Sequence, residues 1–217
     1  MSSAFKLICF DMDGVLFKDQ NFWMELHKAY GTFKEGKILT DKYLHTNYDL
    51  LVREVVGKLW LHKDASVYHE LITKTPYVPG VKAVLDHIRT KGWKIAIISA
   101  SSVELARRLM SEHDPANVVA VYANELGVEN GRISGTFIWP VGSGFERKAQ
   151  ILIDICAQEG ITPNDAIFVG DGANDTHACA IAGWSVAFNP LSDDLRRVAK
   201  RVVVSETLED IIPVLPD

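Results

Sequence analysis

Two pairs of acidic residues stand far apart in the sequence, and each pair directly follows a short apolar run. Asp11 and Asp13 form the first pair, and Asp171 and Asp175 form the second. Three carboxylates within roughly 4 Å of one another would repel by about 4 kcal/mol per pair at an effective dielectric constant near 20. Mg²⁺ removes that penalty, because this hard cation prefers oxygen ligands. The spacing therefore predicts one acidic pocket that binds Mg²⁺.

Such a pocket can cleave a phosphate ester. An aspartate that faces a phosphate can attack the phosphorus and form an aspartyl phosphate. A second carboxylate two residues on can protonate the leaving alkoxide and later deprotonate the attacking water, which is typically worth about 10²–10⁴-fold in rate. Asp11 and Asp13 have this spacing, and Gly14 beside them allows the backbone to turn sharply.

The phosphate oxygens in this chemistry need hydrogen-bond donors and positive charge. Ser99 and the free N–H groups of a predicted helix over 103–113 can donate, and Lys148 can supply a compact charge. Taken alone, Lys148 would usually be a solvated lysine in a first helical turn. Because helix starts disfavour cations, its position also favours a functional role.

Short apolar runs alternate with helical patterns along most of the chain. This alternation is typical of an α/β fold with a parallel sheet covered on both faces. The predicted strands span 6–10, 94–99, 166–169, 184–188 and 201–204, and the predicted helices include 103–113, 193–200 and 208–214, one that ends near 182, and one with an apolar stripe over 149–156. Ser101 and Glu104 predict a capping box for the helix over 103–113. Active sites of open parallel sheets lie beyond the carboxyl ends of the strands, so Asp11, Ser99 and Asp171 should meet at one rim.

Two segments depart from this alternation. Asn130-Gly131 favours a type I′ turn and predicts a β-hairpin over 122–138. An early stretch lacks strand patterns, shows helical patches over 21–30 and 49–61, and ends at the breakers Pro76 and Pro79-Gly80. We therefore predict a core of residues 1–17 and 77–217 and a helical cap of residues 18–76.

Composition excludes several classes of protein. The 217 residues carry a net charge of -5, which gives no sign of nucleic-acid binding and argues against an anionic membrane surface. No apolar stretch approaches the roughly 20 residues of a membrane span, and the first residues lack the features of a signal peptide. The three cysteines have no CxxC spacing, so we expect buried thiols, a reducing compartment and hence a cytoplasmic location.

In their order and spacing, these motifs resemble the haloacid dehalogenase superfamily of phosphohydrolases, and within it the phosphoserine-phosphatase-like group. The four motifs are Asp11-Met12-Asp13-Gly14-Val15, Ser99 after Lys-Ile-Ala-Ile-Ile, Lys148, and Gly170-Asp171-Gly172-Ala173-Asn174-Asp175. The hairpin segment Ala123-Asn124-Glu125-Leu126 also resembles that group. The resemblance implies a Rossmann-like parallel-sheet core with a small helical cap inserted after the first strand and a β-hairpin in the core.

The resemblance also implies a role for each motif residue. Asp11 would be the nucleophile and Asp13 the general acid and base. Mg²⁺ would be held by the carboxylates of Asp11 and Asp171 and by the backbone carbonyl of Asp13, with Asp175 orienting a metal-bound water. The predicted phosphate- and substrate-binding residues are Gly14, Ser99, Ala100, Lys148, Asn174 and Gln20.

Three departures from phosphoserine phosphatases concern the substrate. Gln20 stands where that group carries a glutamate that grips the substrate amine. Val55 falls near the place of an arginine that grips the substrate carboxylate, with only Arg53 nearby, and Ala100 replaces a common glycine. Phosphoserine is therefore one candidate beside phosphoglycolate, phosphoethanolamine, glycerol phosphates and sugar phosphates. The aromatic residues of the cap could form a core or shape a different pocket; they are Phe22, Trp23, Tyr30 and Trp60.

The sequence thus predicts a Mg²⁺-dependent phosphomonoesterase that acts on a small phosphorylated metabolite, with no nucleic-acid or membrane partner. A phosphomutase or phosphotransferase would need the same residues and is the alternative among enzymes. A phosphoryl-accepting receiver domain shares the acidic cluster but lacks the cap and the carboxylate at Asp13. A catalytically silent relative is disfavoured because no motif residue is missing. The oligomeric state stays open.

Overall fold

The computed structural model describes residues 5–18 and 21–216, and within them the centre is a seven-stranded sheet. Its strands are β1 (Leu7–Phe10), β2 (Lys94–Ser102), β3 (Val118–Glu129), β4 (Arg132–Ile138), β5 (Ala166–Gly170), β6 (Trp184–Phe188) and β7 (Arg201–Val203). They lie in the order β4-β3-β2-β1-β5-β6-β7. All neighbouring strands are parallel except β3 and β4. The predicted α/β fold is confirmed.

Helices cover both faces of this sheet. They are α1 (Phe22–Ala29), α2 (Phe33–Tyr43), α3 (Tyr48–Glu54), which continues into a π-helical turn (Val55–Leu59), α4 (Ala65–Lys74), α5 (Val81–Lys91), α6 (Val103–His113), α7 (Phe145–Gln158), α8 (Thr176–Ile181) and α9 (Asp193–Val198). Shorter 3₁₀ turns span Pro163–Asp165, Ala173–Asp175 and Leu208–Val214. Alternate residues of β1 face opposite sides, so Ile8 packs with α5 and α6 whereas Leu7 packs with α7. The central strand is therefore buried on both faces.

The helix α6 has the predicted bounds, but its cap differs from the prediction. Strand β2 extends to Ser102, which pairs with Asn124 of β3. Ser102 is consequently the N-cap, and its hydroxyl accepts the Glu104 N–H at 3.2 Å. The predicted capping box at Ser101 is wrong, because the sheet pairing carries the strand beyond that residue.

The predicted hairpin is present, and its turn has the expected conformation. Asn130 and Gly131 have φ angles of 51° and 73°, as a type I′ turn requires. The sequence did not reveal that β3 begins at Val118 and first runs parallel to β2. One long strand thus joins the parallel sheet to the hairpin.

Four helices, α1 to α4, lie between β1 and α5 and stay outside the sheet. The helices predicted over 21–30 and 49–61 correspond to α1 and to α3 with its π-helical turn, whereas α2 and α4 were not predicted. The two connections to this insert run side by side, since the Lys18 N–H donates to the Pro76 carbonyl at 2.9 Å. The ring of Phe17 in the first connection stacks on the ring of Tyr77 in the second. Residues 18–76 as a separate cap domain stay a prediction.

The cysteines Cys9, Cys156 and Cys179 are buried free thiols, as expected, and burial raises the pKa of each. Within the described residues, no helix has the length and apolar character needed to cross a membrane.

His27 makes the stability of the insert depend on pH. Its ring is buried, its Nδ1 accepts the Trp60 indole N–H at 3.2 Å, and Thr32 Oγ1 lies 2.8 Å from the same nitrogen. Burial lowers the pKa of His27 to about 4 from its ordinary 6.5. The unfolded chain therefore binds a proton more readily than the folded one, and the folded state loses stability as the pH falls from about 6.5 towards 4.

We expect His27→Gln, which does not titrate, to flatten this dependence. The measurement is the thermal unfolding midpoint of both proteins at pH 7 and pH 5. The wild type should lose more degrees than the variant between the two values. Parallel losses would show that His27 is not held neutral.

Candidate active site

Three buried carboxylates converge at the carboxyl ends of β1 and β5. Asp11 follows β1, Asp171 follows β5, and Asp175 ends the 3₁₀ turn behind Asp171. One oxygen from each of them lies within 4.8 Å of the others. The sequence predicted this convergence from the rule for parallel sheets. Ser99 of the neighbouring strand β2 lines a cleft that Asp11 and Asp171 also line.

Lys148 lies at the centre of this cluster and is fully buried. Its Nζ lies 2.6 Å from Asp11 Oδ2 and 2.7 Å from Asp175 Oδ1. Burial opposes its charge, but the two carboxylates outweigh burial and raise the pKa of Lys148 above its usual range. The alternative of a solvated surface lysine is therefore wrong, and the ammonium group is charged.

Asp175 fixes the loop that carries Asp171. One oxygen of Asp175 accepts from Lys148, and the other accepts the backbone N–H groups of Asp171 and Gly172, both at 3.0 Å. Gly170 permits this contact, because a Cβ there would lie 2.5 Å from Asp175 Oδ2. The carboxylate thus connects the loop after β5 to the helix α7.

The cluster holds more negative than positive charge. Burial, with help from the charge of Asp11, raises the pKa of Asp171 to about 9. Burial also raises the pKa of Asp13 to about 7, although the Phe22 N–H donates to its Oδ2 at 2.9 Å. The other oxygen of Asp13 is buried and has no hydrogen-bond partner in the described part of the chain. An all-oxygen site with uncompensated carboxylates fits a hard divalent cation, so the donor set suits Mg²⁺.

Position 14 requires a glycine for two reasons, its backbone conformation and its close contact with Asp171. Its φ angle is 73°, and a Cβ would lie 2.0 Å from Asp171 Oδ2. Any side chain at this position would displace Asp171 from the cluster. The predicted sharp turn beside Asp13 is confirmed.

Of the remaining phosphate-site candidates, Ser99, Ala100 and Asn174 line a cleft of about 300 Å³ that opens above the carboxylates. Ser99 and Ala100 form one wall, and the Ser99 hydroxyl accepts the Ser101 N–H at 3.1 Å. Asn174 lies on another wall beside Gly144, whereas the ammonium group of Lys148 binds Asp11 and Asp175. Helix α6 begins at Val103, and its Glu104 N–H donates to the Ser102 hydroxyl. Gln20 lies outside the described residues.

Sequence reasoning missed two residues that hold the Ala100 carbonyl. The Trp23 indole N–H and the Asn124 amide each donate to this oxygen at 2.8 Å. Asn124 is fully buried, and the same amide lies 3.3 Å from the Gly142 carbonyl. The available signals were a polar residue in an apolar strand, within the Ala-Asn-Glu-Leu segment, and a tryptophan at the start of the insert.

The comparisons with known proteins agree with this geometry. A family model for haloacid dehalogenase-like hydrolases matches residues 5–183. A phosphoserine phosphatase of Archaeoglobus fulgidus is 30% identical over 97% of this chain, and the chain spans 60% of that protein's length. A phosphoserine phosphatase of Albidiferax ferrireducens is 29% identical over 97% of this chain and 89% of its own length. A phosphoserine phosphatase solved as a phospho-aspartyl intermediate analogue shares the fold, with a TM-score of 0.82 and 24% identity over 98% of this chain and 100% of its own.

Lys148 should be essential to the stability of the cluster. Lys148→Met keeps most of the volume but leaves buried carboxylates without their partner, so we expect a loss of about 3–5 kcal/mol in the free energy of unfolding. Lys94→Met is the control, because Lys94 pairs with Glu159 near the surface and should contribute at most about 1 kcal/mol. Urea unfolding of both variants at pH 7.5 measures the difference. Equal losses would contradict the role given to Lys148.

Proposed function

Because this chain belongs to the haloacid dehalogenase-like hydrolases, we propose that it is a Mg²⁺-dependent phosphomonoesterase. It hydrolyses a small phosphorylated metabolite through an aspartyl-phosphate intermediate. The observation that carries this proposal is the fixed set of Asp11, Lys148 and Asp171 directly beneath a cleft lined by Ser99. The names of the curated relatives, both phosphoserine phosphatases, support it.

Asp11 is the proposed nucleophile, and its carboxylate is held in place at both oxygens. Oδ1 accepts the Met12 N–H at 2.7 Å, and Oδ2 binds the ammonium group of Lys148. An oxygen of Asp11 forms a bond to phosphorus while the bond between phosphorus and the ester oxygen breaks. A fixed carboxylate avoids the entropy cost of positioning the nucleophile for each turnover.

Asp13 is the proposed general acid and base. Because the pKa of Asp13 is raised to about 7, a substantial part of it is protonated near neutral pH. Its proton passes to the leaving alkoxide, and the resulting carboxylate then takes a proton from the water that attacks the aspartyl phosphate. The Phe22 N–H of α1 orients this carboxylate, so the insert takes part in placing it.

Mg²⁺ would be held by the carboxylates of Asp11 and Asp171 and by the backbone carbonyl of Asp13, with Asp175 close by. Its positive charge would let an anionic phosphate approach an anionic nucleophile. Lys148 has three N–H donors, of which two bind carboxylates, so the third can bind a phosphate oxygen. The Ser99 hydroxyl is the second proposed donor to the phosphoryl group.

We further propose that residues 18–76 act as a cap over this site. Two contacts support the proposal, since Phe22 binds Asp13 and Trp23 binds the carbonyl of Ala100. A closed cap would exclude bulk water from the aspartyl phosphate. The buried free thiols support a cytoplasmic location.

Asp11→Asn should abolish turnover of p-nitrophenyl phosphate in the presence of Mg²⁺. The amide has nearly the same volume but is a poor nucleophile, so kcat should fall at least about 10²-fold. Asp86→Asn is the control, because Asp86 lies on α5 and pairs with Lys82 at the surface. If Asp11→Asn kept more than about a hundredth of the activity, Asp11 would not be the nucleophile.

Asp171→Ala should raise the Mg²⁺ concentration needed for half-maximal activity steeply, because it removes one proposed ligand. Ca²⁺ should inhibit the wild type, since it accepts more ligands than Mg²⁺ and can engage both oxygens of Asp11. The measurement is a titration of activity with each cation after removal of metals by EDTA. Equal activity in EDTA and in Mg²⁺ would refute the metal assignment.

A further inference from the structure

A second, smaller cavity lies between the helices of the insert and Phe137 of β4, next to the catalytic cleft. Its volume is about 80 Å³. Asn21, Trp23, Leu44 and Tyr48 line both this cavity and the cleft above the carboxylates, so these four residues form their common boundary. A substrate whose phosphoryl group lies at Asp11 can therefore extend its leaving group towards the small cavity.

The walls of the small cavity are mostly apolar; the polar residues among them are Asn21, His27, Thr40 and Tyr48. Val55, Val56 and Trp60 are buried there, and no Asp, Glu, Lys or Arg is among the described residues that line it. His27 also lines the cavity, and burial holds the pKa of His27 at about 4, so this ring is neutral at physiological pH. Among the described residues that line this cavity, none carries a charge that could form an ion pair with an ammonium or a carboxylate.

We propose that this cavity binds a small, neutral, apolar part of the leaving alcohol. The preferred substrates are then phosphate monoesters of small apolar alcohols, and amino acid phosphates are poor substrates. This inference rests on the proposed function, because it places the phosphoryl group at Asp11. Val55 is the residue through which this can be tested, because its buried apolar side chain lines the cavity.

The aromatic walls favour a neutral group over a quaternary ammonium ion. A cage for a cation needs open ring faces, but the indole of Trp60 is contacted by the rings of His27, at 4.6 Å between centroids, and Trp23, at 6.0 Å. Much of the remaining wall is aliphatic. A desolvated cation would find no carboxylate there among the described residues.

The size of the cavity limits the group that it accepts. An engineered apolar cavity of about 150 Å³ holds benzene, so in proportion a cavity of about 80 Å³ has room for about three carbons. Each buried methylene contributes about a fourfold gain in affinity. Burial of the three methyl groups of a tert-butyl group should thus give binding on the order of 50-fold tighter than that of a single methyl group that stays in the cleft.

The test is calorimetric titration with phosphonates, whose carbon–phosphorus bond is not hydrolysed, in Mg²⁺ buffer. The four probes are methylphosphonate, 3,3-dimethylbutylphosphonate, its cationic isostere 2-(trimethylammonio)ethylphosphonate, and 2-amino-4-phosphonobutyrate. We expect the dimethylbutyl compound to bind on the order of 50-fold more tightly than methylphosphonate, with a negative heat-capacity change. The cationic isostere and the amino acid phosphonate should bind no more tightly than methylphosphonate.

A pair of matched variants locates the effect in the cavity. Val55→Thr places a hydroxyl in the wall and should lower the preference for dimethylbutylphosphonate over methylphosphonate at least about fourfold. Val84→Thr makes the same change at a buried site in α5 that lines neither cavity, and the ratio should be unchanged. A ratio of two dissociation constants does not depend on the fraction of folded protein in a preparation.

The outcomes separate the two proposals. If no phosphonate binds, the phosphoryl site and with it the proposed function fail, and this inference fails with them. If methylphosphonate binds and the amino acid phosphonate or the cationic isostere binds more tightly than the dimethylbutyl compound, the proposed function stands and the apolar subsite is refuted. An equal loss of preference in both valine variants would also refute the assignment to this cavity.

Discussion

The buried ion pairs of Lys148 are the constraint on which the site depends. Asp11 and Asp175 could not stay ionised beside each other away from water without a cation between them. Each of the three residues comes from a different element, namely the end of β1, the turn after β5, and α7. The ammonium group therefore joins the centre of the sheet to the helix that covers it. The contacts that join these elements of the core therefore also place Asp11, the proposed nucleophile.

A single lysine does not balance all the carboxylates, and this imbalance has a chemical use. The pKa values of Asp13 and Asp171 are raised mainly by burial. A divalent cation at the cluster would offset the excess charge, so binding of the proposed metal would stabilise the folded site. Gly14 and the loop around Asp175 keep the carboxylates close despite their repulsion. Binding energy is thus available without rearrangement of the backbone.

Much of this arrangement could be predicted because the catalytic residues follow strands of a parallel sheet. A strand and the residue after it are local features of the sequence, and the topology rule then brings Asp11, Ser99 and Asp171 together. The contacts of Trp23 and Asn124 with Ala100 could not be predicted in this way, since they join segments 77 and 24 residues apart. Helix α2 was not predicted for another reason. Its one buried residue is Gly36, so its sequence shows no apolar stripe.

The two halves of the cleft are subject to different physical constraints. On the core side little change is tolerated, because loss of one partner of the ion pairs at 2.6–2.7 Å leaves a buried charge unpaired. A side chain at Gly14 would collide with Asp171. On the insert side, the wall is made mostly of apolar side chains, for which a change in size or polarity alters the fit without breaking the catalytic set. The proposed reaction therefore depends on electrostatics in the core, whereas the proposed choice of leaving group depends on packing in the insert. Two adjacent residues connect the two sides of the cleft. The Phe22 N–H donates to the Asp13 carboxylate, and the Trp23 indole N–H donates to the Ala100 carbonyl. The proposed general acid, Asp13, therefore depends for its orientation on a backbone group at the start of α1.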